Sequence, residues 1–145
     1  MVETSKPTCR LIRSAVSYTG KQGPAYSGGI SAESVGATGL WLGRIEIAPG
    51  ARTKAHFHER HETAIYVLQG QAGMWFGDRL EEHIVAGPGD YIYIPAGVSH
   101  VAANLSESEP VHAVIARTDP NEQESVILQP HLDALISADP SQSLP

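Results

Sequence analysis

Cysteine is almost absent from this sequence. The single cysteine, Cys9, has no partner among the 145 residues and cannot form an internal disulfide. Because disulfides mark oxidising compartments, we expect a cytoplasmic protein. Long apolar runs are lacking as well: no window approaches the roughly eighteen residues of a membrane-spanning helix, and residues 1–20 lack the apolar stretch of a secretory signal. We therefore expect neither a membrane span nor a secretory leader.

Clustered positive charge is also lacking. Ten Lys and Arg residues stand against sixteen Asp and Glu residues, which gives a formal net charge of -6, and the basic residues form no run. Binding to nucleic acid depends on clustered cations that displace counterions, and anionic membrane surfaces attract the same kind of cluster. The sequence thus predicts neither partner. It leaves a small molecule as the expected ligand, because local charge can dominate a pocket.

Glycine and proline are plentiful and indicate the architecture. The 14 Gly and 10 Pro residues separate short apolar segments, and 41% of the residues are hydrophobic. A chain of this length is one ordinary domain, so we expect residues 1–145 to form a single unit. Short strands in close succession predict an all-β fold, either a sandwich or a small barrel, of which the jelly roll is one closed form.

The predicted strands, about nine in number, cluster in the middle of the chain, and residues 38–118 form the expected barrel core. Residues 10–18 are a candidate first strand. Residues 19–37 are rich in Gly and Ser and predict a long loop, either a lid or exchange arm or a surface-packed connection. Pro130 opens a predicted terminal helix over residues 130–137. Residues 138–145 are expected to be a flexible tail.

Four metal-ligand side chains, His56, His58, His61 and Glu62, lie within seven residues of one another in the sequence. His56 and His58 are two apart on a predicted strand, so they point to the same face and can close on one metal ion. Glu62 could add a third ligand at the start of the next apolar segment.

A second group of residues follows in the segment GDYIYIPAGVSHVAAN, which begins at Gly89. Gly89, Pro95 and Gly97 shape a tight approach to a strand. His100 then emerges on a face that can meet the first two histidines. Asn104 is expected to anchor backbone after the strand and not to bind metal.

Together the two segments resemble the paired motifs of the cupin superfamily. The second motif is Gly, five residues, Pro-x-Gly, two residues, His, three residues and Asn, and residues 89–104 match it at every defined position. The first is Gly, five residues, His-x-His, three or four residues, Glu, six residues and Gly. It matches from Gly50 to Glu62, but seven residues separate Glu62 from Gly70. The resemblance covers residues 40–116 and implies a double-stranded β-helix, that is, a jelly-roll barrel.

The position of the motif glutamate depends on the direction of counting. Counted forward from His58 it falls on Glu62, and counted back from Gly70 it falls on Thr63, a poor metal ligand. We take Glu62 as the ligand, with one extra residue accommodated as a bulge before Tyr66 or Leu68. His61 remains an alternative ligand.

The resemblance implies that His56, His58, Glu62 and His100 bind one divalent metal ion per chain. Such ligands suit Fe, Mn, Ni or Zn. It further implies a metal-dependent enzyme acting on a small organic molecule, with a dioxygenase ranked first and an isomerase, epimerase or decarboxylase next. A non-catalytic module that binds or senses a small molecule is the alternative, because fold and metal do not define chemistry. Many cupin barrels pair through an exposed sheet, so a homodimer is expected.

The other histidines are weaker candidates. His112 begins a predicted strand and could line the pocket as a base, which makes it the one catalytic candidate, although a structural role is favoured. His61 lies in a connection, where solvent exposure is the default. His83 and His131 are expected at the surface.

Overall fold

The structure is a computed structural model that describes residues 6–13, 16–121 and 125–136. Within these residues the chain forms eleven strands and two short helices. In chain order they are β1 (Val16–Thr19), β2 (Ala25–Ile30), α1 (Ala32–Val35), β3 (Trp41–Ile47), β4 (His56–His58), β5 (Thr63–Gln69), β6 (Ala72–Phe76), β7 (Glu82–Ala86), β8 (Tyr91–Ile94), β9 (His100–Asn104), β10 (Val111–Arg117), β11 (Val126–Leu128) and α2 (Pro130–Asp133).

The strands form two antiparallel sheets. The larger sheet has the order β1-β2-β3-β10-β5-β8, and the smaller has the order β11-β4-β9-β6-β7. Neighbours such as β3 and β10 are far apart in the chain, so long-range pairing builds each sheet, as in a jelly roll. The predicted all-β, double-stranded β-helix fold with a short C-terminal helix is confirmed.

Alternation along the central strands of the larger sheet places the core between the two sheets. Trp41, Ile45 and Ile47 on β3 are buried, and the residues next to them in the strand are exposed. Strands with one face toward water alternate in this way, and burying each large apolar side chain contributes about 1.5–3 kcal/mol. Gly43 is required between them, because a methyl group there would collide with the Trp41 ring and with the backbone of β2.

The segment predicted as a long loop, residues 19–37, instead contains β2 and α1. β2 pairs with β1 on one side and β3 on the other, and its Tyr26 is buried in the core. Local propensity does not reveal this strand, because Gly28 and Gly29 contribute no side chains to pack. Pairing with β3 holds the strand in place, so tertiary contacts override the local signal.

Two predicted elements have shifted boundaries. The first strand, predicted at residues 10–18, begins at Val16, and residues 10–13 have no regular structure. The terminal helix begins at Pro130 as predicted but ends at Asp133. The predicted flexible tail, residues 138–145, lies outside the described residues. Neither of the two helices that the structure describes is long and apolar enough to cross a membrane.

Candidate metal centre

Three histidines meet inside the barrel. On β4, His56 and His58 are buried and Phe57 between them is half-buried, because successive side chains of a strand point to opposite faces. β9 pairs with β4 where His100 lies opposite His56, which brings the third imidazole into the same space. The candidate ligand nitrogens of His56, His58 and His100 lie within 4.8 Å of one another, and all three side chains are buried.

In two of these histidines, Nδ1 has a hydrogen-bond partner that leaves Nε2 unprotonated and able to bind a metal. Nδ1 of His56 lies 2.6 Å from the carbonyl oxygen of Lys54, and Nδ1 of His100 lies 2.9 Å from that of Val98. A carbonyl oxygen can only accept, so Nδ1 carries the proton in both neutral rings and Nε2 is the unprotonated nitrogen. Metal-binding histidines are commonly oriented by such a contact. The donor set therefore fits a metal ion bound through Nε2.

His58 has a hydroxyl partner instead of a carbonyl. Its Nδ1 lies 3.3 Å from Oγ1 of Thr63, a residue that is 1% exposed. Thr63 is the residue reached by counting back from Gly70 in the first motif. The backward count therefore leads to a hydroxyl that contacts the imidazole of His58.

Glu62 lies outside the group of histidines. Its side chain is exposed, its Oε1 accepts a hydrogen bond from the Tyr93 hydroxyl at 2.6 Å, and its backbone N–H donates to Oγ1 of Thr118 at 3.0 Å. The hydrogen bond to Glu62 raises the pKa of Tyr93, and desolvation and the negative charge of the carboxylate act in the same direction. The forward count predicts Glu62 as the fourth ligand, and the structure places its side chain apart from His56, His58 and His100.

Strand alternation explains why Glu62 lies apart from the three histidines. Thr63, Ile65 and Val67 point to the interior, so Glu62 belongs to the outward-facing set. β5 does contain a bulge, at Leu68, where its pairing with β10 shifts by one residue. That bulge follows the inward-facing residues, so it cannot turn Glu62 inward.

His61 lies directly against His58, a placement that the sequence did not predict. The residue is 2% exposed, and its ring stacks on that of His58 with centroids 4.5 Å apart. Its Nδ1 lies 3.1 Å from Oγ of Ser125 and 3.9 Å from a carboxylate oxygen of Asp119. The expected exposure of His61 is wrong because its partners come from distant parts of the chain, which no local pattern reveals.

The remaining histidines lie away from the interior. Val111 and Ala113 are buried in the core, so His112 between them points to the outer face of β10, away from the histidine group. The catalytic role considered for His112 has no support from this position. His83 and His131 are exposed, as predicted.

Of two adjoining cavities, one is lined by all three histidines and the other by only one of them, His100. The interior cavity, of about 30 Å³, is lined by all three and also by Gln22 and Tyr26. Gln22 donates a hydrogen bond from Nε2 to the Tyr26 hydroxyl, and both residues come from the segment expected to be a loop, so sequence reasoning missed them. The outer chamber, of about 150 Å³, shares His100, Met74 and Ile94 with the interior cavity.

Two antiparallel sheets around a core, with three buried histidines on an interior cavity, define a double-stranded β-helix protein with a candidate metal site. The family model of the Cupin domain matches residues 43–116, about half of the chain. The chain therefore belongs to the cupin family, and the resemblance identified from the two motifs is confirmed.

Two curated proteins are similar to parts of the chain. Tetracenomycin polyketide synthase protein TcmJ of Streptomyces glaucescens is 31% identical over 68 residues, which cover 47% of this chain and 46% of that protein. Quercetin 2,3-dioxygenase of Bacillus subtilis (strain 168) is 37% identical over 51 residues, which cover 35% of this chain and 14% of that protein. The chain thus spans less than half the length of either relative.

Solved structures share the fold. Oxalate decarboxylase of Lactobacillus farciminis, in a formate complex, aligns with a TM-score of 0.65 at 21% identity, over 79% of this chain and 33% of that chain. An uncharacterized conserved protein with a double-stranded β-helix domain from Klebsiella pneumoniae aligns with a TM-score of 0.61 at 19% identity, over 77% of this chain and 88% of that chain. At these identities the likeness establishes the fold alone.

Proposed function

We propose that the protein binds one divalent metal ion through His56, His58 and His100 and uses it to act on a small organic molecule. The observation that carries this proposal is the convergence of three buried imidazoles, whose ligand nitrogens lie within 4.8 Å of one another beside an interior cavity. A metal ion in such a site supplies a Lewis acid and open coordination positions for a ligand.

The donor set bears on which metal is bound. Of the predicted metals, Fe, Ni and Zn suit imidazole, whereas Mn prefers carboxylate and carbonyl oxygen. Because the exposed Glu62 does not join the three histidines, we rank Fe, Ni and Zn above Mn. Thr63 acts as a positioning residue that holds the ring of His58 by its Nδ1.

Among the possible reactions, a dioxygenase-type reaction ranks first. Isomerase, epimerase and decarboxylase chemistry needs a group that moves a proton. Among the described residues that line the two cavities there is no Asp, Glu or Lys, and the lining offers imidazole, phenol and hydroxyl groups. Because these imidazoles are the proposed metal ligands, only the phenols of Tyr26 and Tyr93 remain among the described lining residues to move a proton. The lining therefore favours a reaction in which the residues bind and orient the substrate over one that they drive by acid–base catalysis. The similarity to quercetin 2,3-dioxygenase over 51 residues supports the same ranking.

The lack of a carboxylate among the described lining residues also favours the second candidate, a cupin that binds or senses a small molecule without turnover. Oxygen consumption separates the two. Protein loaded with Fe(II) should consume O₂ with a phenolic or enolic substrate if the first candidate holds. Ligand binding without O₂ consumption, across a panel of such compounds, would favour the second.

The metal site itself is tested by elemental analysis of protein purified from its native host. We expect about one metal ion per chain, and His100→Ala should remove most of it because a ligand is lost. His112→Ala, on the outer face of β10, is the matched control and should keep the metal. Equal metal content in the two variants would refute the site.

Two further expectations stay predictions. A homodimer should be seen by light scattering, with the exposed side chains of Leu42 and Tyr91 on the outer face of the larger sheet as candidate contacts. A cytoplasmic location should be seen by cell fractionation. The exposed free thiol of Cys9 is compatible with a reducing compartment.

A further inference from the structure

The walls of the outer chamber are apolar beyond His100. Its walls include side chains from β6, β7, β8 and the turn before β9, namely Met74, Phe76, Ile84, Ile94 and Val98. Polar atoms lie at its two ends. The imidazole of His100 is at the inner end, and the hydroxyl of Tyr93, which is 61% exposed, donates to Glu62 at the rim. A ligand in this chamber therefore has an apolar body and meets polar groups only at its ends.

Charge is absent from the walls. Among the described residues that line either cavity there is no Lys, Arg, Asp or Glu. Moving a charged group into an apolar space without a counter-charge is strongly unfavourable. A divalent metal ion at the three neutral imidazoles would carry two positive charges and would compensate ionised oxygens bound to it at the inner end of the chamber. A charge on the part of the ligand that lies away from the metal would have no partner among the described residues of the lining.

The sizes of the two cavities determine which part of a ligand each cavity can hold. The outer chamber, at about 150 Å³, is as large as an engineered apolar cavity that binds benzene. The interior cavity, at about 30 Å³, holds water-sized groups and no ring. The thioether of Met74 and the ring of Phe76 favour an aromatic occupant, through sulfur–aromatic and edge-to-face contacts.

From these properties we propose that the outer chamber binds a ligand with one six-membered aromatic ring and no charge on the ring substituents, with an oxygen-bearing edge directed at the histidine group. The inference rests on the proposed function, because it specifies the ligand class of the same site. It disfavours dicarboxylates, sugar phosphates and other ligands that carry charge away from the metal.

Calorimetric titration of zinc-loaded protein tests the ligand class, because zinc does not change oxidation state and binding is measured without turnover. The probes are catechol, protocatechuate and oxalate. Protocatechuate adds one carboxylate to the catechol ring, and oxalate can chelate a metal but has no ring. We expect catechol to bind and the other two to bind at least about tenfold more weakly. The carboxylate of protocatechuate lies away from the metal and would lose water without a partner, and oxalate has no ring to fill the apolar chamber.

Two adjacent residues of β7 supply matched variants. Ile84 lines the chamber, and Val85 points to the opposite face of the strand; they are 42% and 54% exposed. Ile84→Arg should weaken catechol binding by at least about tenfold and strengthen protocatechuate binding, since it places a cation in the chamber. Val85→Arg adds the same charge outside the chamber and should change neither.

Equal affinity for oxalate and catechol in the wild-type protein, or equal effects of Ile84→Arg and Val85→Arg, would overturn the inference. Failure of the proposed function gives a different result, namely no zinc binding at all. In that case phenol is titrated into the metal-free protein. Binding that is weakened by Ile84→Arg and unchanged by Val85→Arg would still support the ligand class. Loss of that difference would overturn it.

Discussion

Replacing Thr63 by Val should lower metal affinity more than replacing Glu62 by Gln. Val has nearly the shape of Thr, so Thr63→Val keeps the packing of a residue that is 1% exposed and removes the hydroxyl next to Nδ1 of His58. Glu62→Gln removes a charge from an exposed side chain that contacts Tyr93 and not the histidines. This order is the reverse of the one that the forward count from His58 predicts.

The size of the effect follows from the contact that is lost. Removing an outer partner of a metal-binding histidine typically costs 10- to 100-fold in metal affinity. The 3.3 Å distance between Nδ1 of His58 and Oγ1 of Thr63 is at the long end of hydrogen-bond geometry. We therefore expect Thr63→Val to lie near the low end, about tenfold or ~1.4 kcal/mol. Glu62→Gln should leave the affinity unchanged.

The assay is competition for zinc against a chromophoric chelator at fixed pH, with thermal unfolding of each metal-free variant to verify the fold. Thr118→Val is the matched control, because it makes the same chemical change at an exposed residue that contacts the backbone of Glu62. A tenfold loss in Glu62→Gln with no change in Thr63→Val would show that the carboxylate binds the metal and that the orientation of β5 described above is mistaken.

Three further predictions concern the rim and the frame of the barrel. Gly43→Ala should destabilise the protein by about 1–3 kcal/mol in urea unfolding, because the added methyl collides with a side chain and with backbone, whereas Gly39→Ala meets no atom within 4 Å and should be tolerated. Tyr93 should ionise above its ordinary pKa in an absorbance titration, and Glu62→Gln should lower that pKa by removing the charge that opposes the phenolate. Asp133→Ala should cost about 1–3 kcal/mol, because its carboxylate accepts a backbone N–H just before β4 at 2.8 Å.

Contrary results would each correct a specific contact. Equal stability of the two glycine variants would mean that β2 does not press against β3. Subtracting the absorbance titration of Tyr93→Phe isolates the signal of Tyr93. If Glu62→Gln leaves the pKa of Tyr93 unchanged, the hydrogen bond between Tyr93 and Glu62 is not formed in solution. Wild-type stability of Asp133→Ala would mean that α2 does not hold β4.

Regular alternation and motif spacing made part of this protein predictable. On β3, buried and exposed residues alternate strictly from Trp41 to Ile47, and such a pattern identifies a strand with one solvent-exposed face. His56 and His58 share a face for the same reason. The second motif matched fully, and its His100 lies opposite His56.

Other parts depend on contacts that a local pattern does not contain. The two counts of the first motif lead to Glu62 or to Thr63, and neither count contains the orientation of β5, which turns Thr63 toward the interior. β2 is held by pairing with β3 and carries adjacent glycines, so its residues favour a loop when considered alone. His61 is buried by Ser125, which lies 64 residues further along the chain.

The backbone of β4 is held chiefly by residues outside the region that the cupin family model matches. All three residues of β4 pair with β11, whereas its pairing with β9 is at His56 alone. The carbonyl and N–H of Ala55 are also bonded by Gln129 and Asp133. The matched cupin region ends at residue 116, before any of these partners.

The smallest fragment that can keep the histidine site is therefore longer than the region that defines the family. A chain cut after residue 118 would retain all three histidines and lose β11 and α2, the segments that pair with β4 and anchor its start. The shape of the site thus depends on a segment that supplies none of its ligands. Domain boundaries drawn from the family match alone would remove that segment.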